Sequence, residues 1–263
     1  MELEPSEDRF EEIVGDSPGL KRVLKLAMTV ARNDAPLLIL GEAGSGKELI
    51  ARAIHRISPR RKESFVKINC ATAGERALAG ELFGRALKAE GKNREIGQIE
   101  QANQGVLFLD EIAQTSLALQ AKLLRLLEHR EFEPLGSTQS IRVNVRLIAS
   151  TKYNLGERVA KEGFRGDLYD QLNVFPIRVP PLRERRDDIV LLARYFMQKF
   201  ARRMGKHIES IPSETMSALM TFDWPGNVRQ LENWIERSVV LSEGPALRGP
   251  VAELDPENAS DVL

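Results

Sequence analysis

Two stretches of this 263-residue chain carry residue types that could together act on a phosphate ester. The first is Gly41-Glu42-Ala43-Gly44-Ser45-Gly46-Lys47-Glu48. Glycines let a backbone reach positive φ and approach a ligand closely. Successive amides, together with the N-terminus of a following helix, form a nest for anionic oxygens. Lys47 would add a compact positive charge at the terminal phosphates. The general pattern ends in Ser or Thr to hold Mg²⁺, so Glu48 stands out. The second stretch is Asp110-Glu111. Asp110 could hold Mg²⁺ directly or through water, and Glu111 could polarise an attacking water. Each stretch alone has a plainer reading: a glycine turn between strand and helix, and two acids capping the next helix. Together they fit the arrangement that phosphoryl transfer needs.

The elements around them have the right order. Leu37-Leu38-Ile39-Leu40 reads as a buried strand entering the glycine loop, and Leu49, Ile50, Ala53 and Ile54 follow at helical spacing. Val106 to Glu111 is an apolar strand ending in the two acids. Further strands are expected at 65–69, 145–149 and 174–179, with helices between them and an earlier helix started by Asp16 or Ser17 with Pro18 at its first position. Alternation at these lengths predicts a five-stranded parallel sheet flanked by helices, an α/β architecture. Residues 84–105 read as a polar, partly helical excursion, and a hairpin or loop is expected around Gly136. Arg60-Arg61-Lys62 reads as a solvated basic turn. After Pro180-Pro181 every segment is helical, with a capping-box look at Ser213. The expected boundaries are a tail or linker at 1–10, an α/β domain at 11–182, a small all-α domain at 183–247, and a tail or linker at 248–263.

Composition narrows the function classes. Lys+Arg and Asp+Glu both number 38, so the formal net charge is zero and the global signature of a nucleic-acid binder is missing; no direct DNA binding is expected. The one cysteine, Cys70, excludes an intramolecular disulfide and a cysteine metal site, and reads as a buried thiol at a strand end. The three histidines are scattered. No apolar run approaches the ~20 residues of a membrane span, and the acidic stretch from Glu2 to Glu12 is unlike a signal peptide. A cytoplasmic setting is expected.

GEAGSGKE, GVLFLDEIAQTS, FRGDLYDQLNVFPIRVPPLRER and WPGNVRQLEN occur in that order. In this the chain resembles the AAA+ ATPase domain of sigma-54-dependent transcription activators, the bacterial enhancer-binding proteins, over about residues 10–248. The resemblance makes Glu48 a family marker. It implies ATP and Mg²⁺ as ligands, with Gly41, Glu42, Ala43, Gly44, Ser45, Gly46, Lys47 and Glu48 around the phosphates and Ile13, Val14 and Gly15 near adenine. It makes Asp110 the metal residue, Glu111 the water-activating acid and Asn69 a switch that contacts Glu111. Thr151 would belong to the first sensor, Arg229 to the second, and Arg165 would reach a neighbouring subunit's ATP. The implied assembly is a ring hexamer or heptamer, or a dimer when inactive, that remodels sigma-54 polymerase holoenzyme.

Three departures qualify that expectation. The family's GAFTGA tip, which touches sigma-54, is replaced by the charged run from Arg85 to Arg94. Gln171 stands where the family has a second arginine, and Lys152 where it has Asn or His. The alternative is therefore a nucleotide-gated regulatory module with weak or no hydrolysis and no sigma-54 contact. The chain is expected to be an excised central domain or a natural short form.

Overall fold

The structure, a computed structural model, describes residues 13–72, 74–86 and 94–254. The expected terminal tail at 1–10, most of the charged run after Arg85 and the end of the expected tail at 248–263 lie outside the described residues.

In chain order the elements are α1 (Pro18–Ala31), β1 (Leu37–Leu40), α2 (Lys47–Ile57), β2 (Phe65–Asn69), α3 (Glu75–Phe83), α4 (Gln98–Gln101), β3 (Val106–Asp110), α5 (Leu117–His129), β4 (Glu131–Phe132), β5 (Ile141–Arg142), β6 (Arg146–Thr151), α6 (Leu155–Ala160), α7 (Gly166–Leu172) and β7 (Pro176–Arg178). Three more helices follow: α8 (Arg186–Arg203), α9 (Ser213–Thr221) and α10 (Asn227–Leu241). The main sheet has the order β2-β3-β6-β1-β7, with every pair parallel. Central strands β1, β3 and β6 are buried almost throughout, which is why they read as continuous apolar runs rather than alternating ones. The hairpin near Gly136 is the small antiparallel β4–β5 pair.

The chain forms two compact units. The first comprises residues Lys25–Gly41 and Lys47–Arg178, and the second residues 13–24, Glu42–Gly46 and 179–254. The tip of the glycine loop therefore belongs to the second unit, while Gly41 and Lys47 on either side of it belong to the first. The first unit is built on a core that includes Leu38, Ile68, Leu107, Leu109, Leu123, Leu147 and Leu168. The second is built on Phe196, Phe200, Trp224, Leu231, Trp234 and Ile235, with Val14 packed against them.

Three local expectations are corrected. Arg60 is 8% exposed, not a solvated turn residue. Its guanidinium bonds both carboxylate oxygens of Asp34, the Gly105 and Asn144 carbonyls and the Asn144 side chain, so one planar fork ties together three separate segments. Ser213 does not cap α9; Pro212 takes the cap position and no side chain caps that end. The last strand is shorter than 174–179, because Val174 and Phe175 are 54% and 41% exposed and precede the paired residues. Ser17 does start α1 as expected, its Oγ accepting from Leu20 N at 3.3 Å, with Pro18 as first helical residue. Cys70 is buried, and burial together with Asp110 and Glu111 nearby pushes its thiol up to about 12.

Candidate functional site

In the first unit, the carboxyl ends of neighbouring parallel strands bring candidate residues together, as open α/β sheets do at their ligand crevices. Lys47 is 6% exposed, and its ammonium donates to the Gly41 carbonyl at 2.8 Å. It also lies 3.3 Å from Glu111 Oε1. Glu111 follows β3 in the left-handed conformation, φ 58, which turns its carboxylate away from the strand direction. Its Oε2 accepts from Lys152 N at 3.2 Å and, at a long 3.5 Å, from Thr151 Oγ1. Asp110 Oδ1 accepts from Ser150 Oγ at 2.5 Å. Lys47, Asp110, Glu111 and Thr151 thus share one site.

The other candidates of this unit are engaged locally. Asn69 pairs in register with Asp110, but its Oδ1 accepts from Ala71 N at 2.9 Å, and Glu111 is held by Lys47, Thr151 and Lys152 rather than by Asn69. Arg165 precedes α7 and gives two bonds to Asp167, at 3.0 and 2.6 Å. Gln171 is exposed on α7. The Lys152 ammonium lies 5.2 Å over the Tyr153 ring, not toward an acid. Glu48 bonds Lys67 at 2.5 Å and Arg52 at 2.8 Å. Burial works to raise its carboxyl, but Lys67 and Arg52 outweigh this and hold it below its ordinary value.

In the second unit the loop tip is surrounded by groups from the helical segment. Glu42 accepts two bonds from Arg183, at 2.8 and 2.6 Å, and one from Asn227 Nδ2 at 3.0 Å. Arg183 first and Asn227 second draw its carboxyl down to about 2. Asn227 Nδ2 also reaches the Ala43 carbonyl, Arg229 N the Gly44 carbonyl, and Arg185 Nη2 the Ser45 carbonyl. Gly44 has φ 73, and a Cβ there would stand 2.2 Å from the Gly226 carbonyl oxygen. Only glycine meets both conditions. The exposed side chain of Arg229 starts beside this point. Arg185 is itself buried and lies 3.9 Å from Asp188, which accepts from Asp16 N, Ser17 N and Ser17 Oγ. Residues 13–15, the expected adenine segment, lead directly into those bonds.

Residues 13–178 match the family described as the sigma-54 interaction domain. This chain belongs to that family. Residues 183–258 further match the AAA+ ATPase lid domain. Among relatives, the formate hydrogenlyase transcriptional activator FhlA of Escherichia coli K12 is 50% identical over 249 residues, which is 94% of this chain and 36% of that protein. The Nif-specific regulatory protein of Bradyrhizobium diazoefficiens is 48% identical over 237 residues, covering 89% and 40%. The chain therefore spans between a third and a half of the length of the curated relatives it matches. A crystal structure of NtrX from Brucella abortus in complex with ATP has a TM-score of 0.87 at 37% identity, covering 95% of this chain and 55% of that one.

For this sigma-54 interaction domain the fit to a nucleotide can be judged from its own atoms. Ser45 Oγ is buried without a hydrogen-bond partner, an orphan donor in the phosphate loop. Gly46 leaves open space where a Cβ would stand. Among the described residues no three His, Cys, Asp or Glu side chains converge as a metal cage. Mg²⁺ binds through one or two carboxylates together with substrate phosphates. Asp110, at the end of β3, has the donor chemistry for that part. The groups that grip the loop tip, Arg183, Arg185 and Asn227, and Asp188 beside Arg185, have no role assigned by the sequence. Their only trace there was the presence of PPLRER and WPGN among the family's motifs.

Proposed function

We propose that this chain is a Mg-ATP-binding AAA+ module of a bacterial sigma-54-type regulator that hydrolyses ATP in a ring oligomer to remodel a transcription partner. The observation that carries it is the convergence of Lys47 and Glu111 at 3.3 Å beside Asp110, at the carboxyl ends of parallel strands. In this reading residues 11–182 hold the nucleotide and 183–247 form the lid, in a cytoplasmic protein. Asp110 would hold Mg²⁺, which when bound neutralises phosphate charge. Lys47 leaves Glu111 for the phosphates, and Glu111, released, takes a proton from water. Glu48 joins the loop through its backbone, since its carboxylate is spoken for by Lys67 and Arg52. Thr151 and Arg229 sense the nucleotide, Ile13, Val14 and Gly15 face adenine, and Asn69 exchanges Ala71 N for Glu111. Arg165 leaves Asp167 to serve a neighbour's site.

The test is phosphate release as a function of protein concentration. Specific activity is expected to rise with concentration and to collapse in Glu111→Gln and Arg165→Ala. Activity that is independent of concentration, or unaffected by Glu111→Gln, refutes the reading.

One observation favours the alternative, a nucleotide-gated module with little hydrolysis: Arg165 is tied to Asp167 and Gln171 adds no charge on the same helix. A lost trans arginine lowers phosphoryl transfer by several orders of magnitude. Under that reading ATP binds and changes assembly, Lys47→Ala abolishes both, and no phosphate is released. Contact with sigma-54, without the GAFTGA tip, is tested separately by co-elution of sigma-54 with the chain and an ATP transition-state analogue.

A further inference from the structure

Three successive carbonyls of the phosphate loop are each taken by a donor from the helical segment of the same unit. Asn227 Nδ2 bonds the Ala43 carbonyl at 3.1 Å, Arg229 N the Gly44 carbonyl at 3.4 Å, and Arg185 Nη2 the Ser45 carbonyl at 2.7 Å. The described chain has no cis peptide bond. In a trans peptide plane the C=O of one residue and the N–H of the next point to opposite sides. Fixing each of these three carbonyls therefore turns the amide of the next residue, Gly44, Ser45 or Gly46, away from the donor that holds it. The Ser45 amide makes only a long turn bond of 3.3 Å to Glu42. A row of amides aimed to one side is what an anion nest requires.

We infer that Asn227, Arg185 and the Arg229 amide are positioning groups for the phosphates: they hold the loop carbonyls outward and so pre-form the row of amides that receives the anion. None needs to touch the ligand. Asn227 is central. It is fully buried, it sits in the left-handed region at φ 55, and its Oδ1 is fixed by Leu182 N at 2.7 Å, which leaves Nδ2 to point at Glu42 and Ala43. Arg183 on Glu42 anchors the start of the same loop. Arg185 carries its charge in a buried setting beside Asp188, so its direction is fixed as well. Such pre-formation lowers the ordering cost that binding would otherwise meet.

The inference rests on the nucleotide reading only for its ligand, so the test has two readouts on the full chain. Asn227→Gly keeps the left-handed backbone and removes the donor. Asn227→Asp keeps the acceptor for Leu182 N and removes the donor. Phe200→Leu is the control: it loosens the helical core away from the loop. Without ligand, amide exchange at residues 44–46 is expected to accelerate at least tenfold in both Asn227 variants and to stay near wild type in Phe200→Leu. With ligand, both Asn227 variants are expected to lose at least tenfold in affinity for ADP and, in parallel, for inorganic tripolyphosphate, which carries no base. Loop exchange at the wild-type rate, or affinity losses no larger than those of Phe200→Leu, would overturn the inference. If the wild-type chain binds neither ligand, the nucleotide reading falls, while the exchange readout still decides whether these donors hold the loop.

Discussion

Replacing Gly44 by alanine should be more costly than an ordinary glycine substitution, by an amount that can be isolated. Two terms act. At φ 73 an L-residue sits in the left-handed region, which costs about 1–2 kcal/mol. Part of this is offset because alanine restricts the unfolded chain, by about 0.4–1 kcal/mol. The second term is steric. The new Cβ would lie 2.2 Å from the Gly226 carbonyl oxygen and 3.0 Å from Arg229 Cβ. Relief requires about 1 Å of movement between two backbone segments, which overpacking data place at about 1–3 kcal/mol. Gly205 supplies the reference: its φ is 64, and nothing lies within 4 Å of a Cβ there. Gly205→Ala carries the first term alone. Urea unfolding of the two variants should thus differ by about 1–3 kcal/mol at unchanged slope, with Gly44→Ala the weaker. Equal midpoints would refute the argument that the loop tip is clasped by the backbone at Gly226.

Three further outcomes are expected. Cys70, buried and with its thiol pushed up to about 12, should not react with a soluble aromatic disulfide at pH 8 in the native chain and should react fully in urea. Glu42 is lowered from 4.5 to about 2 by Arg183 and then Asn227, so the stability it contributes is present above pH 4.5 and is lost as pH falls toward 2. Acid titration of Glu42→Gln should accordingly be flatter than wild type between those values and merge with it below pH 2; a profile parallel to wild type across this window would contradict the assignment. Arg60→Leu removes one of two hydrogen bonds from the Gly105 and Asn144 carbonyls, which keep Arg146 N and Gln104 N, and leaves the half-exposed Asp34 to solvent, so it should destabilise by about 1–2 kcal/mol in chemical denaturation, whereas no measurable loss would return Arg60 to the surface.

How much was legible in the sequence depended on the range of the interaction. Strands β1 and β3 were clear because burial on both faces leaves an uninterrupted apolar run. The helix start at Ser17-Pro18 was clear because a cap is a matter of three residues. The Lys47–Glu111 pairing was readable as a motif pair, but the left-handed turn at Glu111 that aims the carboxylate was not, since a glutamate gives no local sign of φ 58. Arg60 was misread because its partners lie 26 to 84 residues away, while its neighbours Arg61 and Lys62 suggested a solvated run. Val174 and Phe175 were assigned to a strand on apolarity alone, a signal that does not require pairing. The grip on the loop tip was least legible of all: Asn227 and Ala43 are 184 residues apart, and neither type announces the other.

The split membership of the glycine loop has a consequence for the order in which the protein is made. Ser45 leaves the ribosome 140 residues ahead of Arg185, which holds its carbonyl, and Asn227 follows later still. At about 5–20 residues per second, that interval is roughly 7–30 s. During it β1 and the loop already exist as chain, yet the donors that turn the loop carbonyls outward do not. A nascent chain that has completed only its sheet would thus meet cellular nucleotide with an unshaped loop. On the proposed reading, the loop would take its binding shape only after Arg185 and Asn227 have been made.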